Sequence, residues 1–465
     1  VNQKLDEYVK YIKNKKVAVL GIGISNTPLI RFLYGMGVDI TAFDKAEKDK
    51  LTENIQSLSD LDIKYSLGEN YLDKLKGFDV VFRTPGMRYD LPQLLKAKDE
   101  GAVITSEIEV LFDLCPSRIL AITGSDGKST TTTLIYNILR EEGYKCWLGG
   151  NIGIPLLSRV GEMRESDMVV LELSSFQLHT MRKSPGTAVI TNITPNHLDV
   201  HKSMEEYIDA KKNIFVHQSS EDKVVLNYDN KVTRELASQA ESRVEFFSRL
   251  GGIDEGAVLK NKKLVYIRNG KTTEIVDADE IVIPGLHNIE NYLAAIGAVF
   301  DLVSPQSIHK VATTFRGVEH RIELVREIKG IKFYNDSIAS SPMRTIAGLN
   351  TFKQRVILIA GGKDKNNDYQ PLGDVMVDKV KCLVLVGQTS PQIVKALLDA
   401  VEKNAKGHDI KIFKCSEFDQ AVKAAYACAE KGDIVILSPA STSFDLFKNF
   451  EERGRKFKEV VNSLT

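Results

Sequence analysis

The residues best equipped for chemistry lie in Gly124-Ser125-Asp126-Gly127-Lys128-Ser129-Thr130, between the apolar run ILAIT and the helix-like LIYNILREEG. The glycines let backbone N–H groups close around phosphate oxygens, Lys128 adds a point charge, and a hydroxyl of Ser129 or Thr130 can ligate Mg²⁺ beside a helix N-terminus. The spacing G-x-x-G-K-[ST] is a shorter variant of the standard phosphate loop. A tight turn that caps a helix without any ligand is the alternative. Strand, loop and helix in this order favour phosphate.

Glu172 ends the apolar run MVVLE, at the carboxyl end of a strand, where open α/β sheets place ligand chemistry. A carboxylate there can hold the metal that bridges nucleotide phosphates. Alone it would read as a glutamate facing water, but it follows a phosphate loop by one βα unit. In SMEEYIDAKKNIFVH, Met204, Tyr207, Ile208, Ile214 and Phe215 form an amphipathic stripe, and Lys211 falls inside it while Lys212 shares the polar face with Glu205 and Asp209. A lysine drawn to an apolar face becomes neutral, hence nucleophilic, more easily, and its amine can take up CO₂ as a carbamate that shares a metal with Glu172 and His197. The pattern by itself favours the other outcome, in which the stem packs and the ammonium reaches solvent. His197, in TNITPNHLDVH, follows another apolar strand; with His201 it suggests a zinc pair, but no third ligand stands at a recognisable spacing.

The elements that position these groups alternate along the chain. Apolar runs at 16–20, 78–82, 118–123, 168–173, 188–193, 355–360, 381–386 and 433–438 are separated by helix-like segments, the pattern of parallel sheets covered on both faces. The class is α/β. From 224 to 284 shorter strands with intervening turns predict a small antiparallel extension. At 465 residues the chain exceeds one hydrophobic core, and three domains are expected, 1–106, 107–317 and 318–465.

Lysine plus arginine and aspartate plus glutamate balance at 62 each, so no global field exists to hold a nucleic acid or an anionic membrane. Five cysteines without CxxC spacing point away from a zinc cluster or disulfide framework and toward a reducing cytoplasm. No run approaches the ~20 apolar residues of a membrane span. A monomer is expected.

The first domain opens with VAVLGIGISNTPL, a Rossmann-like strand and glycine turn in which Asn26 replaces the third glycine of G-x-G-x-x-G, and Asp44 ends the next strand. Read alone, this would suggest a NAD-dependent oxidoreductase, and it would leave the Gly124–Thr130 loop unexplained.

Gly124–Thr130, Asn151 in GGNIG, Glu172 in LELSSFQL, His197 in NITPNH, Tyr207 and Lys211 in YIDAKK, Asn291 in GLHNIEN, Arg321 in EHR and Asp336 in NDS occur in the order found in Mur ligases, which the chain resembles over most of its length. SPASTSFDLFKNFEERG at 438–454 resembles the D-glutamate-adding branch of that family, and no DNPR-like stretch is present. The resemblance implies a Rossmann-like N-terminal domain, a central ATPase-type domain and a Rossmann-like C-terminal domain, with ATP, two Mg²⁺ ions and a carbamate on Lys211. It implies that Gly124, Ser125, Asp126, Gly127, Lys128, Ser129, Thr130, Asn291, Arg321 and Asp336 hold ATP, and that Ser129, Glu172, His197 and Lys211 organise the metal. Ile24, Ser25, Asp44, Lys45, Thr84, Asn151 and His197 would hold a UDP-N-acetylmuramoyl-L-alanine substrate, and Ser340, Lys365, Ser443 and Phe450 would receive D-glutamate. Asp126 stands where the family commonly has asparagine, Asn196 replaces a frequent acid, and Ile338 a frequent lysine. A sister ligase such as folylpolyglutamate synthase, and a nucleotide switch without chemistry, are the other readings.

Overall fold

The computed structural model describes residues 2–23, 26–195, 201–364 and 367–465. Ile24, Ser25, Asn196, His197 and Lys365 thus lie outside the described residues. Among those described, three sheets match the three-domain expectation. The first contains β1 (Lys16–Leu20), β2 (Asp39–Asp44), β3 (Lys64–Leu67), β4 (Val80–Phe82) and β5 (Val103–Thr105) in the order β3-β2-β1-β4-β5, all parallel. Strand order reverses at β1, so the crevice beyond the carboxyl ends of β1 and β4 is the topological switch point.

The second sheet contains β6 (Arg118–Thr123), β7 (Cys146–Gly150), β8 (Met168–Glu172), β9 (Thr187–Ile190), β10 (Lys223–Asn227), β11 (Arg243–Ser248), β12 (Gly256–Lys260), β13 (Lys263–Arg268) and β14 (Lys271–Asp277). The strands β6 and β8 to β10 are buried throughout or nearly so, which is why their sequences read as unbroken apolar runs rather than alternating ones. The expected antiparallel extension is smaller than the sequence suggests. Strands β10 and β11 continue the parallel sheet, and only β12 to β14 pair antiparallel.

The third sheet runs β15 (Glu323–Ile328), β16 (Ile331–Asn335), β20 (Ile434–Leu437), β17 (Val356–Ala360), β18 (Val380–Val386) and β19 (Lys411–Cys415) across its width. Its edge strand β15, antiparallel to β16, is a strand the sequence reading passed over, because ELVREI is only half-buried and carries charges. The chain divides into two compact units, 1–279 with 289–312 and 280–288 with 313–465. Within the first, one apolar core runs from Ile12 through Val19 and Phe82 to Ala121, Leu171 and Leu226, so the first two sheets share it. Among the described residues no helix is long and apolar enough to cross a membrane.

Candidate functional site

Strand β6 leads directly into the glycine loop. Gly124 has φ +150° and Gly127 φ +79°, the left-handed conformation that starts the helix Lys128–Glu142. A Cβ on Gly124 would lie 1.9 Å from the Thr191 hydroxyl oxygen, and one on Gly127 would lie 2.3 Å from Asn291 Oδ1. Glycine is therefore required at both positions for backbone freedom and for space. Asn291 belongs to the helix Leu286–Val299 and accepts a hydrogen bond from the Thr131 hydroxyl at 3.3 Å, which brings it beside the loop. Ser125 bonds the Tyr207 hydroxyl at 3.0 Å and donates to the Thr194 carbonyl at 2.9 Å, while Asn192 accepts from the Asp126 N–H at 3.0 Å. Asn192 is a loop brace that sequence reasoning missed.

Two lysines converge on this turn. Lys128 Nζ donates to the carbonyls of Gly124 and Ser125 at 3.0 and 2.9 Å. Lys211, on the helix Met204–Lys212, donates to the same Gly124 carbonyl at 2.8 Å and to the Thr123 hydroxyl at 3.4 Å. The outcome favoured by its sequence pattern, an ammonium escaping to solvent, is corrected: Lys211 is 2% exposed. Its amine is held at the loop by the Gly124 carbonyl and the Thr123 hydroxyl. Lys212 does lie outward, paired with Asp209 at 2.9 Å. Burial, reinforced by the neighbouring Lys128 charge, pushes the Lys211 amine well below its ordinary pKa, so its neutral form is favoured.

Glu172 does not face water either. It is 2% exposed; its Oε1 accepts from Asn151 Nδ2 at 2.8 Å, and its Oε2 is buried without a hydrogen-bond partner. A buried carboxylate oxygen left unpaired is costly unless something else satisfies it, and a hard cation is the fitting partner. The residues present therefore suit magnesium. Lys128, Glu172 and Lys211 lie around one turn, and Asn151 is bound to that acid.

At the first switch point, Asp44 Oδ2 accepts from the Ile22 N–H at 2.7 Å and Oδ1 from the Ala46 N–H at 2.8 Å. Asn26, the replacement for the third glycine, donates to the carbonyls of Leu20 and Gly21 at 2.9 and 3.0 Å and thus holds the glycine turn. Thr84 follows β4 beside Gly21, and Lys45 is exposed.

In the second unit, Asp336 follows β16 and is 4% exposed, accepting from the Ser438 hydroxyl at 2.8 Å and from the Ile322 N–H at 3.3 Å. Burial drives its pKa up to about 7, against the opposing pull of the Ser438 hydrogen bond and the Arg321 charge. Ser443 is buried beyond β20, Ser340 is half-buried, and Phe450 opens the helix Phe450–Ser463 with its carbonyl accepting from the Ser337 hydroxyl at 2.7 Å. Sequence reasoning missed Arg453. It is 2% exposed and donates to the Ser337 carbonyl at 2.9 Å, the Ser337 hydroxyl at 3.0 Å and the Ser441 carbonyl at 3.1 Å, joining the segments that carry these residues.

A glycine loop between a buried parallel strand and a helix, in a three-domain α/β chain, defines the class: a nucleotide-using α/β enzyme. Comparison narrows it. Residues 15–106 match the Mur ligase MurD-like N-terminal domain, 122–299 the Mur ligase middle domain, and 320–441 the Mur ligase glutamate ligase domain. The chain is 66% identical over 465 residues, the whole of both chains, to the UDP-N-acetylmuramoylalanine–D-glutamate ligase of Acetivibrio thermocellus, and 56% identical over 464 residues, again 100% of each, to the protein of that name in Ruminiclostridium cellulolyticum. Among solved structures, the UDP-N-acetylmuramate-alanine ligase of Thermotoga maritima matches with a TM-score of 0.58 over 97% of this chain and 100% of its own, at 20% identity, a likeness of fold alone. The chain belongs to the Mur ligase family, whose members are ATP-dependent ligases.

Proposed function

We propose that this chain joins D-glutamate to UDP-N-acetylmuramoyl-L-alanine, using ATP, in peptidoglycan synthesis in the cytoplasm. The full-length identity to relatives named for that reaction carries the reading, and the meeting of Lys128, Lys211 and Glu172 around the loop supports it. The same reading divides the chain near residues 106 and 317.

An amide cannot form from a carboxylate in water without activation. An oxygen of the alanyl carboxylate attacks the γ-phosphorus, the bond to the bridging oxygen breaks, and ADP leaves with that electron pair. The D-glutamate amine, having lost a proton, then attacks the acyl carbon of the resulting acyl phosphate. The tetrahedral intermediate loses a proton from nitrogen, which the departing phosphate can carry away, and collapses by breaking the carbon–oxygen bond to phosphate.

Both steps gather negative charge, so catalysis rests on positioning and electrostatics. The backbone of Gly124–Thr130 cradles the phosphates, Lys128 offers its charge to the transferred group, and Asn291 fixes the loop from behind. Ser129, Glu172, His197 and Lys211, the last as its carbamate, would hold magnesium. When bound, that ion neutralises charge on the phosphate oxygens. The neutral amine favoured by burial is the form that adds CO₂. Arg321 and Asp336 contribute to the nucleotide, while Ser340, Lys365, Ser443 and Phe450 receive D-glutamate. Ile24, Ser25, Asp44, Lys45, Thr84 and Asn151 take the UDP-substrate.

The test is ADP release measured with each substrate withheld in turn. It is expected only when UDP-N-acetylmuramoyl-L-alanine and D-glutamate are both present. Equal release with diaminopimelate or L-lysine in place of D-glutamate would move the chain to another branch. With ¹⁸O in the alanyl carboxylate, label must appear in phosphate; its absence would exclude the acyl phosphate.

A further inference from the structure

His201 is a residue that the ligase reading leaves without a task. It is 3% exposed, its Nε2 lies 2.9 Å from the Ser175 hydroxyl, and its ring is stacked on Phe176 at 5.3 Å and set edge-on to Tyr207 at 5.2 Å. The sequence paired it only with His197. The fold instead gives it two other partners, His179 from the end of the short helix after β8 and Glu206 from the helix Met204–Lys212. One potential ligand atom from each of His179, His201 and Glu206 lies within 4.8 Å of the other two.

We propose that His179, His201 and Glu206 bind one divalent transition-metal cation of the zinc class. Two imidazoles and a carboxylate form a three-ligand set that suits zinc and its neighbours and leaves a position for water. Beside the two imidazoles, a cavity of about 20 Å³ lined by His179 and His201 together with Arg83, Arg88, Tyr89 and Phe176 supplies room for one solvent-sized sphere. The rings are fixed in advance: His201 by Ser175 and its aromatic neighbours, His179 by Tyr89 at 4.5 Å between centroids.

Acidic and basic groups are mixed around these ligands. Arg88 and Lys202 face this group, but Asp90 takes Arg88 through two hydrogen bonds of 2.7 and 2.9 Å and Lys202 at 2.8 Å, and Glu206 adds the second negative charge. These four carry no net charge, and the Arg83 guanidinium beside His179 adds one positive charge that a bound cation must tolerate. Glu206 Oε1 lies 3.3 Å from Arg88 and 3.7 Å from His179, while its Oε2 accepts from the Lys202 N–H, so Oε1 is the oxygen that can turn toward an ion while Arg88 keeps Asp90. Arg83 spends its guanidinium on the Thr84, Pro85 and Met87 carbonyls and the Thr180 hydroxyl. The ion would tie the central domain to Tyr89 and Arg88 on the turn that follows β4, beside Thr84.

The test titrates the full chain with Co²⁺ in excess Mg²⁺, on a Glu172→Gln background so that the position at the phosphate loop is disabled, and needs no ligase activity. One Co²⁺ per chain is expected, with visible ligand-field bands, without thiolate charge-transfer absorption, and displaceable by Zn²⁺. His179→Ala and Glu206→Gln should each weaken affinity by about tenfold or more. Zn²⁺ should raise the melting temperature of the background chain and not of these variants, with circular dichroism confirming that each is folded. Absence of saturable binding, affinity unchanged in both variants, or a thiolate band that assigns the ion to cysteine would each overturn the proposal.

Discussion

Lys211 and Asp336 are both removed from water, and burial acts on them with opposite sign, lowering the pKa of the amine and raising that of the acid. For Lys211, neutrality prepares the amine for CO₂, so Lys211→Ala should reduce turnover by ~10²-fold or more, and added formate or acetate should restore part of it by supplying the lost carboxylate. Full turnover in that variant would remove the carbamate from the mechanism. For Asp336, the folded pKa of about 7 stands above the ordinary 3.8, so its contribution to stability is present below pH 3.8 and is lost as pH rises to about 7. Asp336→Asn cannot ionise. Urea unfolding of the ligand-free chain should therefore show the variant gaining on the wild type by a few kcal/mol between pH 4 and 7, in proportion to the pKa difference. A constant difference across that range would mean that Asp336 is ionised at little cost.

At the scale of elements, the strand–loop–helix unit depends on Gly124 in two ways, and two glycines separate them. Gly124 combines φ +150° with a blocked Cβ position 1.9 Å from the Thr191 oxygen, whereas Gly143, which ends the same helix with φ +108°, has nothing within 4 Å. Gly143→Ala pays backbone strain alone, about 1 kcal/mol. Gly124→Ala must also displace Thr191 or the loop, and should lose about 2 kcal/mol or more along with binding of a fluorescent ATP analogue. Equal costs at the two sites would mean that Thr191 yields freely. These elements were legible because burial on both faces leaves unbroken apolar runs, and because a phosphate loop must have glycine where φ is positive. Strand β15 was not, since a half-buried edge strand carries no such run. Lys211 was found by its place in an apolar stripe, although its depth was misjudged. Arg453 occupies the same kind of position, in line with the buried Phe457, Val460 and Val461, and the same test of a charge within a stripe would have found it. Contacts far apart in sequence, such as Asn151 with Glu172 and His179 with Glu206, leave no trace in local spacing.

At the scale of the whole molecule, each compact unit carries apolar cores of its own. Those of the first include Ile12, Phe82, Leu171 and Leu226 in one cluster and Leu20, Phe43 and Val81 in another, and those of the second include Leu358, Met376 and Leu397 on one face of its sheet and Phe333, Val435 and Phe457 on the other. A chain with separate cores has no need to unfold as one. Scanning calorimetry of the ligand-free chain should resolve two transitions, and the point variants assign them. Gly124→Ala should lower the midpoint of one alone, the unit of 1–279 and 289–312. Asp336→Asn should leave that transition in place and raise the other near pH 7, with the gain vanishing toward pH 4. A nucleotide with Mg²⁺, bound through the phosphate loop, should raise the first transition by mass action in the wild type and not in Gly124→Ala. A single transition, lowered by Gly124→Ala and raised by Asp336→Asn near pH 7, would show that the units unfold as one cooperative body.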